Sequence, residues 1–127
     1  MATNSGNKGK VIWATITLAI LTFIVLALRP LPKANRSNCS KYSGIVSQIM
    51  NGAGEGDIVI KIKSDKNYYY INRATEHGIL ISDLNEKLVN KEVELFTIKH
   101  WTPLDPISRT KHIAEIRMDG ALIYSEM

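Results

Sequence analysis

The sequence predicts one N-terminal transmembrane helix followed by a small mainly-β domain. Three features indicate this class: an unbroken apolar run over residues 11–28, a segment with prolines and basic residues over 29–41, and alternating apolar and polar residues from residue 42 onward. An apolar run of about 18 residues is long enough to cross a bilayer, and alternation with a period of two is typical of half-buried strands. The chain has 127 residues, which suits one domain.

The apolar run reads VIWATITLAILTFIVLAL and contains no charge, proline or glycine. As a helix it would span about 27 Å, close to the roughly 30 Å hydrocarbon core of a bilayer. A buried core helix is disfavoured, because the run has no polar face and the remaining domain is too small to surround it. A cleaved signal peptide fits the charged start, but its apolar region is usually about 7–15 residues, and no small-x-small site follows here. We therefore interpret residues 1–10 as a polar tail and 11–28 as an uncleaved anchor.

The basic residues of the first third of the chain surround this run. The net charge is +4, yet residues 1–41 contain no acid, and the rest of the chain has ten basic and twelve acidic residues. Anionic lipid headgroups are the partner that this layout favours, whereas a net acidic domain argues against nucleic acid. Counting basic residues leaves the side of the domain open, with a slight preference for the cytoplasm. The predicted headgroup contacts are Lys8, Lys10, Arg29, Lys33, Arg36 and Lys41.

Residues 29–41 are interpreted as a linker, because Pro30 and Pro32 stop the helix and favour extended backbone. Cys39 is the one cysteine of the chain, so no internal disulfide forms. It could be palmitoylated on a cytoplasmic linker, pair with a second chain if exported, or remain an unmodified thiol. Asn35 and Asn38 each begin a glycosylation pattern, which matters only in a eukaryotic secretory lumen.

The remaining residues, 42–127, are predicted to form strands and one short helix. One face of the second predicted strand carries Ile58, Ile60 and Ile62. This strand is predicted to pair with the next strand so that Ile60 lies opposite Ile71. Asp119-Gly120 is a two-residue hairpin turn, which places Ile116 opposite Ile123. The predicted elements are strands at 43–50, 57–63, 68–73 and 91–101, a helix from an N-cap at Ser82 to a left-handed Asn90, a loop over 102–110, and a hairpin of 112–118 with 121–125.

The predicted order is strand, strand, strand, helix, strand, strand, with the last element split by a turn. This β-β-β-α-β-β order matches an OB-like five-stranded barrel. An SH3-like barrel is the main alternative. Because one barrel architecture supports many functions, the fold class does not by itself predict an activity.

No motif of the sequence indicates catalysis. His77, His100 and His112 are the only histidines, and their spacing is not that of metal ligands. His100 and His112 flank one loop and could meet, but clear further ligands are absent. No serine lies in a nucleophile-elbow pattern. We therefore expect no enzyme activity, no cofactor and no metal, with a hydrolase as a remote alternative.

Lys61, Lys63, Tyr68 and Tyr70 are predicted to share the outer face of one hairpin. Aromatic rings beside basic groups on an OB-like sheet can stack on bases or sugars. This face is a candidate surface for an oligosaccharide or nucleic acid. The alternative is a solvated sheet face on which lysine stems pack against tyrosine rings.

A second candidate surface is the loop that contains Trp101, Leu104 and Ile107. Two prolines, Pro103 and Pro106, stiffen it, and a stiff loop that presents tryptophan is suited to protein contact. The alternative is that Trp101 and Leu104 fold back to plug the barrel. The sequence thus predicts a single-pass membrane protein with a non-enzymatic interaction domain. Its first expected partner is another protein, in a membrane assembly, and its second is an oligosaccharide or nucleic acid.

Overall fold

The computed structural model describes residues 5–127, which form a long N-terminal helix and a separate barrel domain. The first four residues of the predicted tail lie outside the described residues. The helices and strands are α1 (Ser5–Ala27), a 3-10 helix (Arg36–Asn38), β1 (Cys39–Asn51), β2 (Ile58–Ile62), β3 (Tyr68–Ile71), a second 3-10 helix (Ala74–His77), α2 (Ile81–Leu88), β4 (Glu92–Ile98), β5 (Thr110–Met118) and β6 (Ala121–Ser125).

Helix α1 is the one helix of residues 5–127 that is long and apolar enough to cross a membrane, and none of its apolar window is buried against the domain. It begins before the apolar run, because the polar residues ahead of Val11 contain no proline to stop it. The hydroxyls of Thr15 and Thr22 donate to the carbonyl oxygens of Val11 and Leu18, at 2.9 and 2.8 Å. These bonds satisfy both hydroxyls inside an apolar helix.

The barrel is closed by five strands. β1 pairs antiparallel with both β2 and β4, β2 pairs with β3, and β4 pairs with β5. β3 then runs parallel to β5 and closes the ring, while β6 extends β5 as a hairpin. With α2 between β3 and β4, this is the OB-like arrangement, and the element order predicted from the sequence is confirmed.

The barrel interior is filled by aliphatic side chains and one tyrosine. The alternation predicted for β2 is confirmed, since Ile58, Ile60 and Ile62 are all buried. Tyr69 is fully buried among them. Helix α2 lies at the end of the barrel where β3 ends and β4 begins. Its Leu84 and Leu88, four residues apart, pack into the same core, as predicted.

The strand registers predicted for the two hairpins are wrong by two residues and by one residue. Ile60 lies opposite Tyr69 rather than Ile71, a shift of two residues that keeps the predicted inner-face residues of both strands buried. The cause is a five-residue loop in which Asp65 accepts from the Asn67 N–H at 2.8 Å and from the Tyr69 hydroxyl at 2.6 Å. In the last hairpin a bulge puts Tyr124 opposite Ile116, in place of Ile123.

Three predicted boundaries also differ. β1 begins at Cys39, inside the predicted linker, because its first residues pair with the end of β4. β4 ends at Ile98, before the predicted end of that strand. α2 begins at Ile81, so Ser82 lies within the first turn and makes no cap, whereas Asn90 has the predicted left-handed conformation at φ 66°.

Candidate functional site

Residues 99–109 connect β4 to β5 and are called the Trp101 loop here. Its backbone is fixed by its own hydrogen bonds, most of which converge on Asp105. The two carboxylate oxygens of Asp105 accept from the backbone N–H groups of Arg109 and Thr110, at 3.1 and 2.8 Å. The Asp105 carbonyl accepts from the Ser108 N–H at 2.9 Å. The loop therefore has a defined shape without a partner.

The apolar side chains of this loop point outward. Trp101 is 49% exposed, Leu104 70% and Ile107 65%. The Trp101 indole N–H donates to the Pro106 carbonyl at 3.1 Å, which fixes the ring beside the loop rather than inside the barrel. The alternative that Trp101 and Leu104 plug the barrel is therefore wrong. The structure presents all three predicted loop residues on one short segment.

The Trp101 loop starts beside the linker from α1. Ile98 pairs with Cys39, and the next backbone N–H, of Lys99, donates to the Asn38 carbonyl at 2.7 Å. The linker residue Leu31 lines the same cavity as Trp101. The loop and the end of the linker thus share one end of the barrel, opposite α2.

A cavity of about 670 Å³ lies at this end of the barrel. Tyr42, Tyr70 and Trp101 supply aromatic walls, and Lys99 and Lys111 supply positive charge. The Lys111 ammonium lies 5.1 Å from the centre of the Tyr42 ring, within the range of a cation–π contact. The other lining residues are Leu31, Ser40, Thr97, Ile98, His100, Thr102, Asp105, Ser108, Thr110 and His112.

His112 lines this cavity and is 7% exposed. Its Nε2 lies 2.6 Å from a Glu126 carboxylate oxygen, and the other oxygen accepts from the Tyr124 hydroxyl at 3.2 Å. Its Nδ1 is buried without a hydrogen-bond partner in residues 5–127. Sequence reasoning missed Glu126 and Tyr124, which only the β5–β6 register brings to His112.

His100 and His112 both line the cavity, as their positions on either side of one loop allowed. Within residues 5–127, no group of three histidine, cysteine or acidic side chains is placed to hold a metal ion.

Burial raises the pKa of the Tyr70 phenol, so this hydroxyl is a neutral hydrogen-bonding group in the cavity wall. The cavity offers aromatic surface, hydroxyls and cationic groups.

The predicted Lys–Tyr face is divided in the structure. The Lys61 ammonium lies 3.9 Å from the centre of the Tyr68 ring and donates to the Asn67 carbonyl at 3.1 Å. Lys63 is exposed. Tyr70 instead contacts His112 edge-on, with ring centres 5.1 Å apart, and faces the cavity. Lys61 and Tyr68 therefore meet, but Tyr70 belongs to a different surface.

Two of the predicted headgroup residues form ion pairs within the domain. The Arg36 guanidinium lies 3.2 Å from the buried carboxylate of Glu115 and 4.8 Å from the centre of the Phe96 ring. Glu115 also pairs with Arg117. Lys41 pairs with Glu94 at 2.9 Å. All six residues of the predicted set are exposed, including Arg36 and Lys41.

Comparison of the chain with protein-family models, with curated proteins and with solved structures found no match. The fold and the surfaces define a small OB-like barrel that follows a long apolar helix. Its candidate functions rest on the Trp101 loop, the adjoining cavity and the Lys61–Tyr68 pair.

Proposed function

We propose that this chain is a single-pass membrane protein whose barrel is a non-enzymatic interaction domain. The barrel binds another protein of a membrane assembly through Trp101, Leu104 and Ile107. The observation that supports this most is the exposure of all three large apolar side chains on a loop with a fixed backbone. Exposed apolar groups that lie together on a folded surface are typical of protein contacts.

The fixed backbone matters for affinity. A loop that is already ordered loses little conformational entropy when it binds, so more of the contact energy appears as affinity. Tryptophan is enriched among the residues that dominate interfaces, and truncating such a residue often weakens binding by more than about 2 kcal/mol. The Trp101 indole N–H is already hydrogen-bonded within the loop. A partner can therefore cover the ring without leaving this donor unpaired.

Anchoring by α1 is supported by its length and by the exposure of its apolar side chains, which no part of the domain covers. The alternative, a signal sequence that is removed, has the same appearance. The test is to extract membranes with carbonate and determine the N-terminus of the chain. An intact N-terminus in the pellet supports an anchor. Release of the chain without detergent, or loss of its first residues, would overturn it.

The experiment for the partner is capture from membranes solubilised in mild detergent, with the full-length chain as bait. Trp101→Ala and Leu104→Ser should each reduce recovery of a specific partner at least about tenfold, while Lys61→Ala and Tyr68→Ala leave it unchanged. Leu80→Ser is the matched control, because Leu80 is also exposed and apolar but lies beside α2 at the other end of the barrel.

The reverse result would favour the oligosaccharide or nucleic-acid alternative. In that case Tyr68→Ala should reduce binding to an immobilised oligomer, since each stacked unit contributes about 1–3 kcal/mol. The structure supports this alternative less, because Lys61 is already bonded to the adjacent loop and Tyr70 faces elsewhere. Equal capture by all variants would show that neither surface is the binding site.

A further inference from the structure

The cavity beside the Trp101 loop lies within a short chain length of the end of α1. Leu31, which lines the cavity, is four residues beyond Ala27, the last residue of the helix. Four extended residues reach at most about 14 Å. The headgroup layer of a bilayer is about 5–8 Å thick on each side of the hydrocarbon core. A helix that spans the core therefore holds this cavity at or next to the lipid headgroups.

The charges that face the cavity are mainly positive. Lys99 and Lys111 line it and take part in no ion pair within residues 5–127. The one acid in its wall is Asp105, whose two oxygens already accept backbone N–H groups. Glu126 does not line the cavity and is hydrogen-bonded to His112. An anionic group that enters the cavity therefore meets two cations and one carboxylate, whose oxygens are already hydrogen-bonded to the loop backbone.

The aromatic walls suit the rest of a lipid headgroup. Tyr42, Tyr70 and Trp101 line the cavity, and the linker residue Leu31 adds an apolar side chain. Rings with a polar edge are the side chains that favour the membrane interface. The volume of about 670 Å³ leaves room for a phosphate with its glycerol group.

We propose that this cavity binds the phosphate-bearing headgroup of an anionic membrane lipid. Lys111 and Lys99 contact the phosphate, and Tyr42 and Trp101 contact the glycerol. This site rests on the proposed anchoring by α1 and shares Trp101, but not Leu104 or Ile107, with the proposed protein contact. Its ligand is fixed to the leaflet in which the helix ends, so lipid binding would hold the barrel and its loop in one orientation over the membrane.

The test uses the full-length chain in lipid nanodiscs, with Trp13→Phe so that Trp101 is the only tryptophan. Phosphatidylglycerol is added in steps to a phosphatidylcholine disc, and Trp101 emission is recorded. A saturable blue shift or quenching is expected. Lys111→Gln, and independently Lys99→Gln, should raise the lipid fraction at half-saturation about tenfold, as expected for loss of a charge-assisted hydrogen bond. Thermal unfolding by circular dichroism checks that each variant remains folded.

Lys33→Gln is the matched control, because Lys33 is a predicted headgroup contact that carries the same charge but does not line the cavity. It should change half-saturation of the Trp101 response by no more than about twofold, because Trp101 reports the lipid in the cavity and the exposed Lys33 charge is screened at physiological salt. An equal effect of Lys33→Gln would show diffuse attraction and overturn the site. Saturation by soluble glycerol phosphate at the same concentrations would identify free phosphate, not lipid, as the ligand and overturn the lipid assignment.

A chain that enters the disc but shows no response of Trp101 to either ligand would also overturn the site. This failure is distinct from failure of the anchor, because an unanchored chain would not be recovered in the disc. It is also distinct from failure of the protein partner, which is measured with Leu104→Ser. Leu104 does not line the cavity, so this substitution should leave the lipid response unchanged.

Discussion

The two ends of the barrel differ in how their openings are filled. At the end where β3 finishes and β4 begins, α2 fills the opening with Leu84 and Leu88, which join the core. At the end where β4 finishes and β5 begins, an aromatic and cationic cavity remains, and Leu104 points outward. Fully burying a leucine contributes about 1.5–3 kcal/mol. The first end therefore stabilises the fold, while the second leaves comparable side chains available for binding.

The largest expected effect is at the closed end. Leu88→Ala removes a fully buried side chain and should lower the free energy of unfolding by about 2–5 kcal/mol, because the cavity that it leaves is only partly refilled. Urea unfolding of the full chain in detergent, followed by circular dichroism, measures this. Leu80→Ala is the control at an exposed leucine and should change stability by less than about 0.5 kcal/mol. Equal effects would contradict the closed-end assignment.

The next effect concerns the contact that fixes the linker to the barrel. Glu115 is buried and accepts hydrogen bonds from Arg36, at 3.2 Å, and from Arg117. Glu115→Ala should destabilise the domain by about 1–3 kcal/mol, less than for a fully buried pair because Arg36 can turn into water. The measurement is the melting temperature of the full chain.

Glu94→Ala is the matched control for this prediction, because it breaks the exposed pair with Lys41. Exposed pairs contribute about 0–1 kcal/mol, so this variant should melt near the unaltered chain. If Glu94→Ala were as damaging as Glu115→Ala, burial would not be the reason that the Arg36 contact matters.

The parts of the fold that were predictable from sequence depend on local signals. The alternation of Ile58, Ile60 and Ile62 determines which face of β2 is buried, and Leu84 with Leu88 determines the buried face of α2. The hairpin registers were not predictable, because the loop after β2 admits several lengths and β6 contains a bulge. Neither feature leaves a distinctive residue pattern.

The candidate site was predictable only in part. The prolines around Trp101 indicated a stiff loop, and the exposure of its apolar side chains agrees with that interpretation. The cavity has no sequence signature, because its walls come from the linker, four strands and the loop. The pair of Arg36 and Glu115 joins residues 79 positions apart, so no local spacing could have indicated it.

A smaller effect on stability is expected at alkaline pH, and it comes from Tyr69 and Tyr124 in the core. Burial raises the pKa of Tyr69, and burial with the adjacent Glu126 raises that of Tyr124, above the usual 10.0. The folded state therefore keeps these protons longer than the unfolded state. The stability they contribute is fully present below about pH 10 and is lost as pH rises toward the folded-state pKa, by roughly 1 kcal/mol for each tyrosine at pH 10.5.

The check is the melting temperature between pH 8 and 11 for the unaltered chain and for Tyr69→Phe. The variant lacks the ionisable phenol and also the hydrogen bond to Asp65, so it should melt lower at pH 8 but lose less between pH 10 and 11. An unchanged slope for Tyr69→Phe would mean that this phenol ionises as easily in the folded chain as in the unfolded one.

The smallest expected effect on stability is at the open end and completes the comparison. Leu104→Ser and Ile107→Ser alter side chains that are 70% and 65% exposed, so each should change the free energy of unfolding by less than about 0.5 kcal/mol. Urea unfolding under the conditions used for Leu88→Ala measures this directly. A loss above about 1.5 kcal/mol would show that these side chains support the loop from within, and a binding defect in either variant would then report folding. A neutral result together with lost partner capture assigns the two side chains to the interface, because the loop backbone is fixed by Asp105 and does not depend on them.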